Sequence, residues 1–597
     1  MVQEKAKQET KFVGIAASPG IAIGQAVVLR REIIDVNHRT IKKNEIEDEI
    51  KRFGKALKSA QGELSDIKKR VLYKIGEKDA KLFDAHLLIL DDQIIIDQTE
   101  QKIRAERCNA EWAYFDIMKT FHDSLFKSED EYLKERAVDI LDVKRRVIRN
   151  LMGDKPCFDL SSRSLRIVVS HQLTPSQTVL LDRNAILAFA VNLGGRTSHV
   201  AILSKGLEKP AVVGLKDFAG HVENGDRLIV DGTNGIVILH PVKKTLLNYR
   251  KLQEKHQKFL HDLLPVKKLP AKTLDGHTLQ LAANIELPSE IGSVKQYGAK
   301  GVGLFRTEYI YLSREEFPAE DDQFKEYKKV ADEVYPNSVI IRTFDLGGDR
   351  LLIGDLKIDE QNPFLGWRSI RISLDLPELF ITQLKAILRS SYRQNVRIMF
   401  PMISSVDEVL RSKELVQKAM EQLKQEGKEF DPHIEIGIMV EIPSTVLIAD
   451  HLAKIVDFFS IGTNDLIQYT LAVDRGNERI ASLYTNYHPA ILKFIKQTVD
   501  VAHQNNIWTG LCGEMATDSI IVPFLVGIGI DELSMTPAAI PEVKKMIRSI
   551  RFNSAKRLAD EVLQFPRTEQ VKNELVLFIK KNLPQIAEVV LPREEIV

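Results

Sequence analysis

The C-terminal half of the chain carries eight short apolar runs, each separated by enough sequence for a helix. That recurrence constrains the fold more than any other feature. The runs are residues 279–285, 301–305, 339–343, 396–400, 434–440, 458–462, 508–512 and 532–535. Strands that are apolar throughout are buried on both faces, as parallel strands joined by helices are. Eight such units predict a (β/α)8 barrel. Several runs end directly in polar residues: Arg306 and Glu308, Arg342 and Asp345, Glu441, Asn464 and Asp465, Cys512 and Glu514. In such barrels the strand C-termini form the reactive face. Repeated arginines and acids at that register favour an anion site with a metal.

The first half reads differently. Residues 12–30 mix β-branched residues with glycines and predict two short strands around Ser18-Pro19-Gly20. Ile46, Ile50, Phe53, Leu57, Ala60, Leu64, Ile67 and Val71 then step by four and three along one helical face. Further helices are expected around 78–104, 109–125 and 130–151, completing a four-helix unit. From residue 164 short strands return, at 165–170, 186–191, 211–213, 227–231 and 235–239. The opening strands are expected to pair with these, which makes the helical unit an insertion. A lysine-rich helix beginning at Lys243 leads to Pro265 and Pro270 and reads as a linker. The expected division is an α/β domain from 1–30 and 153–242, a helical insertion at 31–152, a linker at 243–270 and the barrel at 271–597.

Composition narrows the function classes. A chain of 597 residues allows several domains. Formal net charge is +1 with 28% charged residues, without the basic excess of a nucleic-acid or membrane-surface protein. No apolar run reaches bilayer-spanning length, and the polar N-terminus lacks a signal-peptide core. Cys108, Cys157 and Cys512 are too scattered for a disulfide framework or a metal cluster. A reducing cytoplasm is the simplest location.

The chemistry concentrates after the apolar segment 186–193. It runs into Gly194-Gly195-Arg196-Thr197-Ser198-His199, and an apolar helical pattern follows from Val200 to Leu203. This spells a buried strand, a tight turn and a helix start. Glycines let backbone approach an anion, and N–H groups at a helix N-terminus attract one. Arg196 adds a planar donor fork. A lone histidine is ordinarily a satisfied core residue. In this setting a histidine suits attack on a phosphoryl group.

The segment resembles the phosphohistidine domain of phosphoenolpyruvate-utilising enzymes. More narrowly, it is similar to the enzyme I family of the bacterial sugar phosphotransferase system. Family-like motifs continue in order through the barrel: Gly303 to Glu308, Ile341 to Asp349, Asn362 to Arg368, Met439 to Ser444, Gly462 to Leu466, Asp474 to Asn477 and Leu511 to Glu514. The resemblance implies a swivelling phosphohistidine α/β domain with an inserted helical bundle, followed by a TIM barrel. It makes His199 the phosphoryl acceptor, with Thr197, Gly194 and Gly195 in support. It makes Arg306, Arg342, Arg475 and Asn464 the substrate-binding residues, with Arg368 and Arg350 beside them. Glu441 and Asp465 become ligands of Mg²⁺, and Cys512 the acid that protonates the enolate of pyruvate. The implied partner is the phosphocarrier protein HPr, docking on the helical insertion, and the barrel is implied to form a homodimer.

Four residues, at three places, depart from the family pattern. Ser204-Lys205 stands where alanine-arginine is usual, Arg350 stands for a lysine, and Asn192 stands for an acid. The histidine, arginine, carboxylate and thiol positions are intact, so activity is expected to be retained. A dikinase or synthase would need a nucleotide-binding domain for which the chain has no room, and a P-loop that it lacks. A non-catalytic phosphosignalling paralogue would tolerate losses at Glu441, Asp465 or Cys512, and none occurs. The nitrogen-linked branch of the family fits less well than the sugar-linked one.

Overall fold

The computed structural model describes residues 8–29, 36–74, 83, 86–126, 131–153, 165–173, 185–195, 198–207, 209–312, 317–347, 360, 362–474, 477, 480 and 483–591. The chain divides into two compact units, Met1–Glu254 and Lys255–Val597.

In the first unit, eight strands among the described residues form one sheet. They are β1 (Thr10–Val13), β2 (Ile15–Ser18), β3 (Ile21–Leu29), β4 (Arg166–Ser170), β5 (Ile186–Val191), β6 (Ala211–Val213), β7 (Arg227–Asp231) and β8 (Ile236–Leu239). Their order is β1-β8-β7-β3-β4-β5-β6-β2. The pairs β3–β4, β4–β5 and β5–β6 are parallel and the others antiparallel. The central strands bury both faces. Ile167, Val169, Ala188 and Ala190 point into one apolar cluster, while Val168, Phe189 and Val191 point into another with Val200 and Ala201. That two-sided burial is why these strands read as unbroken apolar runs.

The opening segment forms three strands rather than the expected two. Gly14 divides the first into β1 and β2, which lie at opposite edges of the sheet. One residue joins those edges, so the sheet curls until they nearly meet. Gly14 N–H donates to the Gly235 carbonyl at 2.8 Å. On its other side, a Cβ at Gly14 would lie 2.5 Å from the Val213 carbonyl oxygen, closer than a side chain tolerates.

Between β3 and β4 the described residues include α1 (Ile46–Lys74), α2 (Gln93–Glu106), α3 (Ala110–Phe126) and α4 (Glu131–Met152). The single helix expected around 78–104 is broken after a helical stretch at 86–90, where the Asp92 side chain caps α2. Their apolar faces share a separate core around Phe53, Leu57, Ile103, Tyr114, Met118 and Val147. Arg52 ties three of the helices together, pairing with Glu49 at 2.5 Å and Glu111 at 2.6 Å and donating to the Leu151 carbonyl at 2.8 Å. The lysine-rich stretch is a single helix, Lys243–Val266, with Pro265 in its last turn.

The second unit contains a closed barrel of eight parallel strands: β9 (Gln280–Ile285), β10 (Val302–Phe305), β11 (Val339–Arg342), β12 (Val396–Phe400), β13 (Ile436–Val440), β14 (Phe458–Ile461), β15 (Trp508–Leu511) and β16 (Glu532–Met535). β16 closes onto β9, with Glu532 opposite Gln280 and Met535 opposite Ala283. The expected (β/α)8 architecture is observed. Leu304, Ile340, Met399, Met439, Phe458 and Cys512 fill part of the barrel interior. A far larger apolar layer packs the strands against the surrounding helices. No helix among the described residues is long and apolar enough to cross a membrane.

Candidate active site

Short parallel strands of similar length end at one rim, and the side chains just beyond those ends converge there. Arg342 is the last residue of β11, and Arg306 and Glu441 are the first residues past β10 and β13. Asn464 and Asp465 lie in the first turn of the helix Thr463–Leu471, which follows β14. Cys512 follows β15 directly.

Arg342 is the hub of this rim. Its side chain is 9% exposed, and its guanidinium pairs with Glu308 at 2.8 Å and with Asp345 at 2.8 Å. Its Nε is buried without a hydrogen-bond partner among the described residues. The other Asp345 oxygen takes Arg368 at 3.1 Å and the Ser369 hydroxyl. Asp345 therefore clamps two guanidinium groups. Burial pushes its carboxyl up, but Arg342 and Arg368 outweigh that and hold it at about 2. Burial likewise works against the charges of Arg342 and Arg368. Asp345 overcomes it, and both guanidinium groups end above their usual range. Arg306 is more open and pairs with the exposed Glu286 at 2.6 Å.

Glu441 is 1% exposed. One of its oxygens accepts the Met402 N–H at 2.6 Å. Burial, then the charges of Asp465 and Asp345, push its carboxyl well above the usual range, with Arg342 opposing. A buried carboxylate under the charge of a second one is costly unless a cation joins them. Mg²⁺ is typically held by one or two carboxylates plus substrate oxygens. Glu441 and Asp465 fit that donor set. Among the described residues no group of three or more His, Cys, Asp or Glu side chains is arranged to hold a metal. Gly462 makes room for Glu441: a Cβ there would lie 2.9 Å from a Glu441 carboxylate oxygen.

Cys512 is buried at the same rim, and burial pushes its thiol up to about 11. The charges of Arg342, Glu441 and Arg306 all act on it. The Asn464 side-chain oxygen accepts the Glu514 N–H at 3.0 Å, tying the loop after β15 to the helix after β14. The barrel thus gathers Arg306, Arg342, Arg368, Glu441, Asp465, Asn464 and Cys512. Arg350 and Arg475 lie outside the described residues.

The histidine segment belongs to the first unit. After β5, Gly194 adopts φ +121°, where a Cβ would meet the Ser198 hydroxyl at 2.9 Å. The Ser198 N–H donates to the Gly195 carbonyl at 3.1 Å. The backbone of His199 opens the helix His199–Gly206. The Ser198 hydroxyl accepts the Ala201 N–H at 3.4 Å and caps that helix. Arg196 and Thr197 lie outside the described residues. Asn192, where the family pattern has an acid, is buried and satisfied at both ends. Its oxygen accepts the Ala219 N–H at 2.9 Å, and its nitrogen lies 3.2 Å from the His171 ring.

Comparison with known proteins bears on this geometry. Three family models match in order: the N-terminal domain of PEP-utilising enzymes over residues 13–136, the mobile domain over 163–235 and the PEP-binding domain over 262–552. A phosphoenolpyruvate-protein phosphotransferase of Staphylococcus carnosus is 42% identical over 94% of this chain and 97% of its own length. This chain belongs to the phosphoenolpyruvate–protein phosphotransferase family. Relatives of that name from Bacillus subtilis and Haemophilus influenzae are 42% and 41% identical, over 96% and 95% of this chain and 100% and 99% of their own lengths. A solution structure titled as an enzyme I protein is 40% identical, covering 41% of this chain and 99% of its own, with a TM-score of 0.37. Within a phosphotransferase, Glu308, Asp345 and Ser369 gain importance as the groups that hold Arg342 and Arg368. Glu308 and Asp345 stand at strand ends in the sequence, but nothing there says which arginine each one holds.

Proposed function

We propose that this family member transfers the phosphoryl group of phosphoenolpyruvate to His199 and then to a histidine of HPr, the first step of the sugar phosphotransferase system. The supporting observation is the convergence of three guanidinium groups, the carboxylates of Glu441 and Asp465 and a buried thiol at one barrel rim. Arg306 and Arg342 receive the phosphate and carboxylate of the substrate, with Asn464 and Arg368 around them, and by family resemblance Arg475 and Arg350 join in binding it. Guanidinium forks suit both anions and the charge spreading over the transferring oxygens. Glu441 and Asp465 would hold Mg²⁺, which when bound would supply positive charge to those oxygens.

A neutral imidazole nitrogen of His199 attacks phosphorus. The N–P bond forms as the bridging P–O bond breaks, and the electron pair leaves on the enolate of pyruvate. The methylene carbon of that enolate takes the Cys512 thiol proton. A thiol held near 11 stays protonated across neutral pH, so the acid form is always ready. Gly194 and Gly195 shape the backbone that receives the phosphoryl group, and by family resemblance Thr197 supports it. The phosphohistidine domain then presents its cargo to HPr docked on the helical insertion, a cytoplasmic relay in which the barrel forms the homodimer.

The test couples pyruvate release to lactate dehydrogenase, with purified HPr as acceptor. Chelation of divalent cations, Glu441→Gln and Asp465→Asn should each reduce release at least 100-fold, about 3 kcal/mol of barrier. Undiminished release in both variants would overturn the metal assignment.

A further inference from the structure

We infer that Ser460 is a positioning residue for proton delivery, holding the Cys512 sulfur and stabilising the thiolate left when the proton reaches the enolate. The inference rests on the assignment of Cys512 as the acid. Ser460 lies on β14 and is 2% exposed. Its hydroxyl donates to the Cys512 sulfur at 3.3 Å, the one hydrogen bond of that hydroxyl among the described residues. The thiol in turn donates to the Ile461 carbonyl at 3.7 Å, an oxygen that also accepts the Cys512 N–H at 3.1 Å. The sulfur is therefore gripped on its lone-pair side by Ser460, while its own proton rests on a carbonyl already engaged elsewhere. Rotation about the Cβ–S bond frees that proton without breaking the Ser460 contact.

The surroundings give the hydroxyl its meaning. Leu304, Ile340, Met399, Met439, Phe458 and Trp508 pack with Cys512 in this layer of the barrel. A hydroxyl among such groups is a cost unless bonded, and an alanine would pack as well. In the transfer step the S–H bond breaks, a C–H bond forms on the methylene carbon of the enolate, and the electron pair remains on sulfur. The apolar ring opposes that charge. A donor already aimed at the sulfur strengthens as the charge develops, so it favours the transition state over the ground state. After pyruvate leaves, solvent water returns a proton to sulfur.

The test compares wild type, Ser460→Ala and Cys512→Ala as full chains with Mg²⁺, HPr and phosphoenolpyruvate, in H₂O and in D₂O. Ser460→Ala should lower kcat for pyruvate formation roughly 10- to 100-fold, the loss of one hydrogen bond to a charged group. KM for phosphoenolpyruvate should stay unchanged, and the solvent isotope effect on kcat should grow as protonation becomes limiting. Transfer from the phosphorylated protein to HPr should be unaffected. Wild-type kcat and isotope effect in Ser460→Ala, with Cys512→Ala inactive, would overturn the role of Ser460 alone. A fall in kcat accompanied by a raised KM and no change in isotope effect would reduce Ser460 to a packing residue and also overturn it. Wild-type turnover in Cys512→Ala would remove the acid assignment itself.

Discussion

Asp345→Asn should disable the barrel site while leaving the fold largely intact. Asp345 is the buried anion that fixes two guanidinium groups, Arg342 at 2.8 Å and Arg368 at 3.1 Å. Its carboxyl is held at about 2 against an ordinary 3.8, the balance of burial against the ionic and hydrogen-bond contacts. Each pKa unit corresponds to about 1.4 kcal/mol, so that balance favours the charged form in the native state by about 2 kcal/mol. Asparagine keeps the shape and one acceptor but releases that interaction. Arg342 retains Glu308, so it stays buried and charged, yet loses one of the two anchors that aim it. Misaiming a substrate-binding guanidinium by an ångström costs on the order of 100-fold in rate. The contrast is Glu286→Gln. That carboxylate is 63% exposed and pairs with the more open Arg306. Exposed pairs contribute about 1 kcal/mol or less, so this variant should change little. The assay is kcat/KM for phosphoenolpyruvate, with thermal unfolding as the control for folding. Equal effects from the two substitutions, or full activity in Asp345→Asn, would refute the idea that burial of the clamp aims the arginines.

Two other outcomes follow from the geometry. Glu532 sits in the barrel with Gln280 donating to it at 2.9 Å, and burial raises its carboxyl to about 7. Its folded value lies above the unfolded one, so its contribution is whole below about pH 4.5 and is lost as pH rises through 7. Glu532→Gln should therefore stabilise the barrel by about 3 kcal/mol at pH 8 and by less than about 1 kcal/mol at pH 5, read from chemical unfolding at the two pH values. Gly194→Ala forces a side chain onto a φ of +121° and against the Ser198 cap. It should cost about 1–3 kcal/mol and slow phosphorylation of the protein without altering phosphoenolpyruvate binding by the barrel, measured by calorimetry.

The barrel was readable because of how its strands are buried. They are wrapped on both sides, so most appear as mainly apolar runs that stop where the reactive rim begins. The run at 396–400 and the strand Val396–Phe400 coincide for this reason. The histidine turn was readable because Gly194 and Ser198 carry local signals, a positive φ and a helix cap. Local signals fail where contacts join distant residues. Ser460 and Cys512 are 52 positions apart and meet only because β14 and β15 are neighbours in the barrel. Glu532 looks like the polar start of a strand until β16 closes against β9 and places it inside. The break at Gly14 was hidden as well. Two four-residue strands around one glycine read as a single strand until the sheet order shows them pairing at opposite edges.

The central claim is that the imidazole of His199 carries the phosphoryl group. The direct measurement is incubation with Mg²⁺ and phosphoenolpyruvate labelled in its phosphoryl group, followed by mapping of the label on the protein. One acid-labile, base-stable phosphoryl group on the peptide containing His199, abolished in a folded His199→Ala variant, is the predicted result. Label on any other residue, or undiminished labelling of His199→Ala, would contradict it.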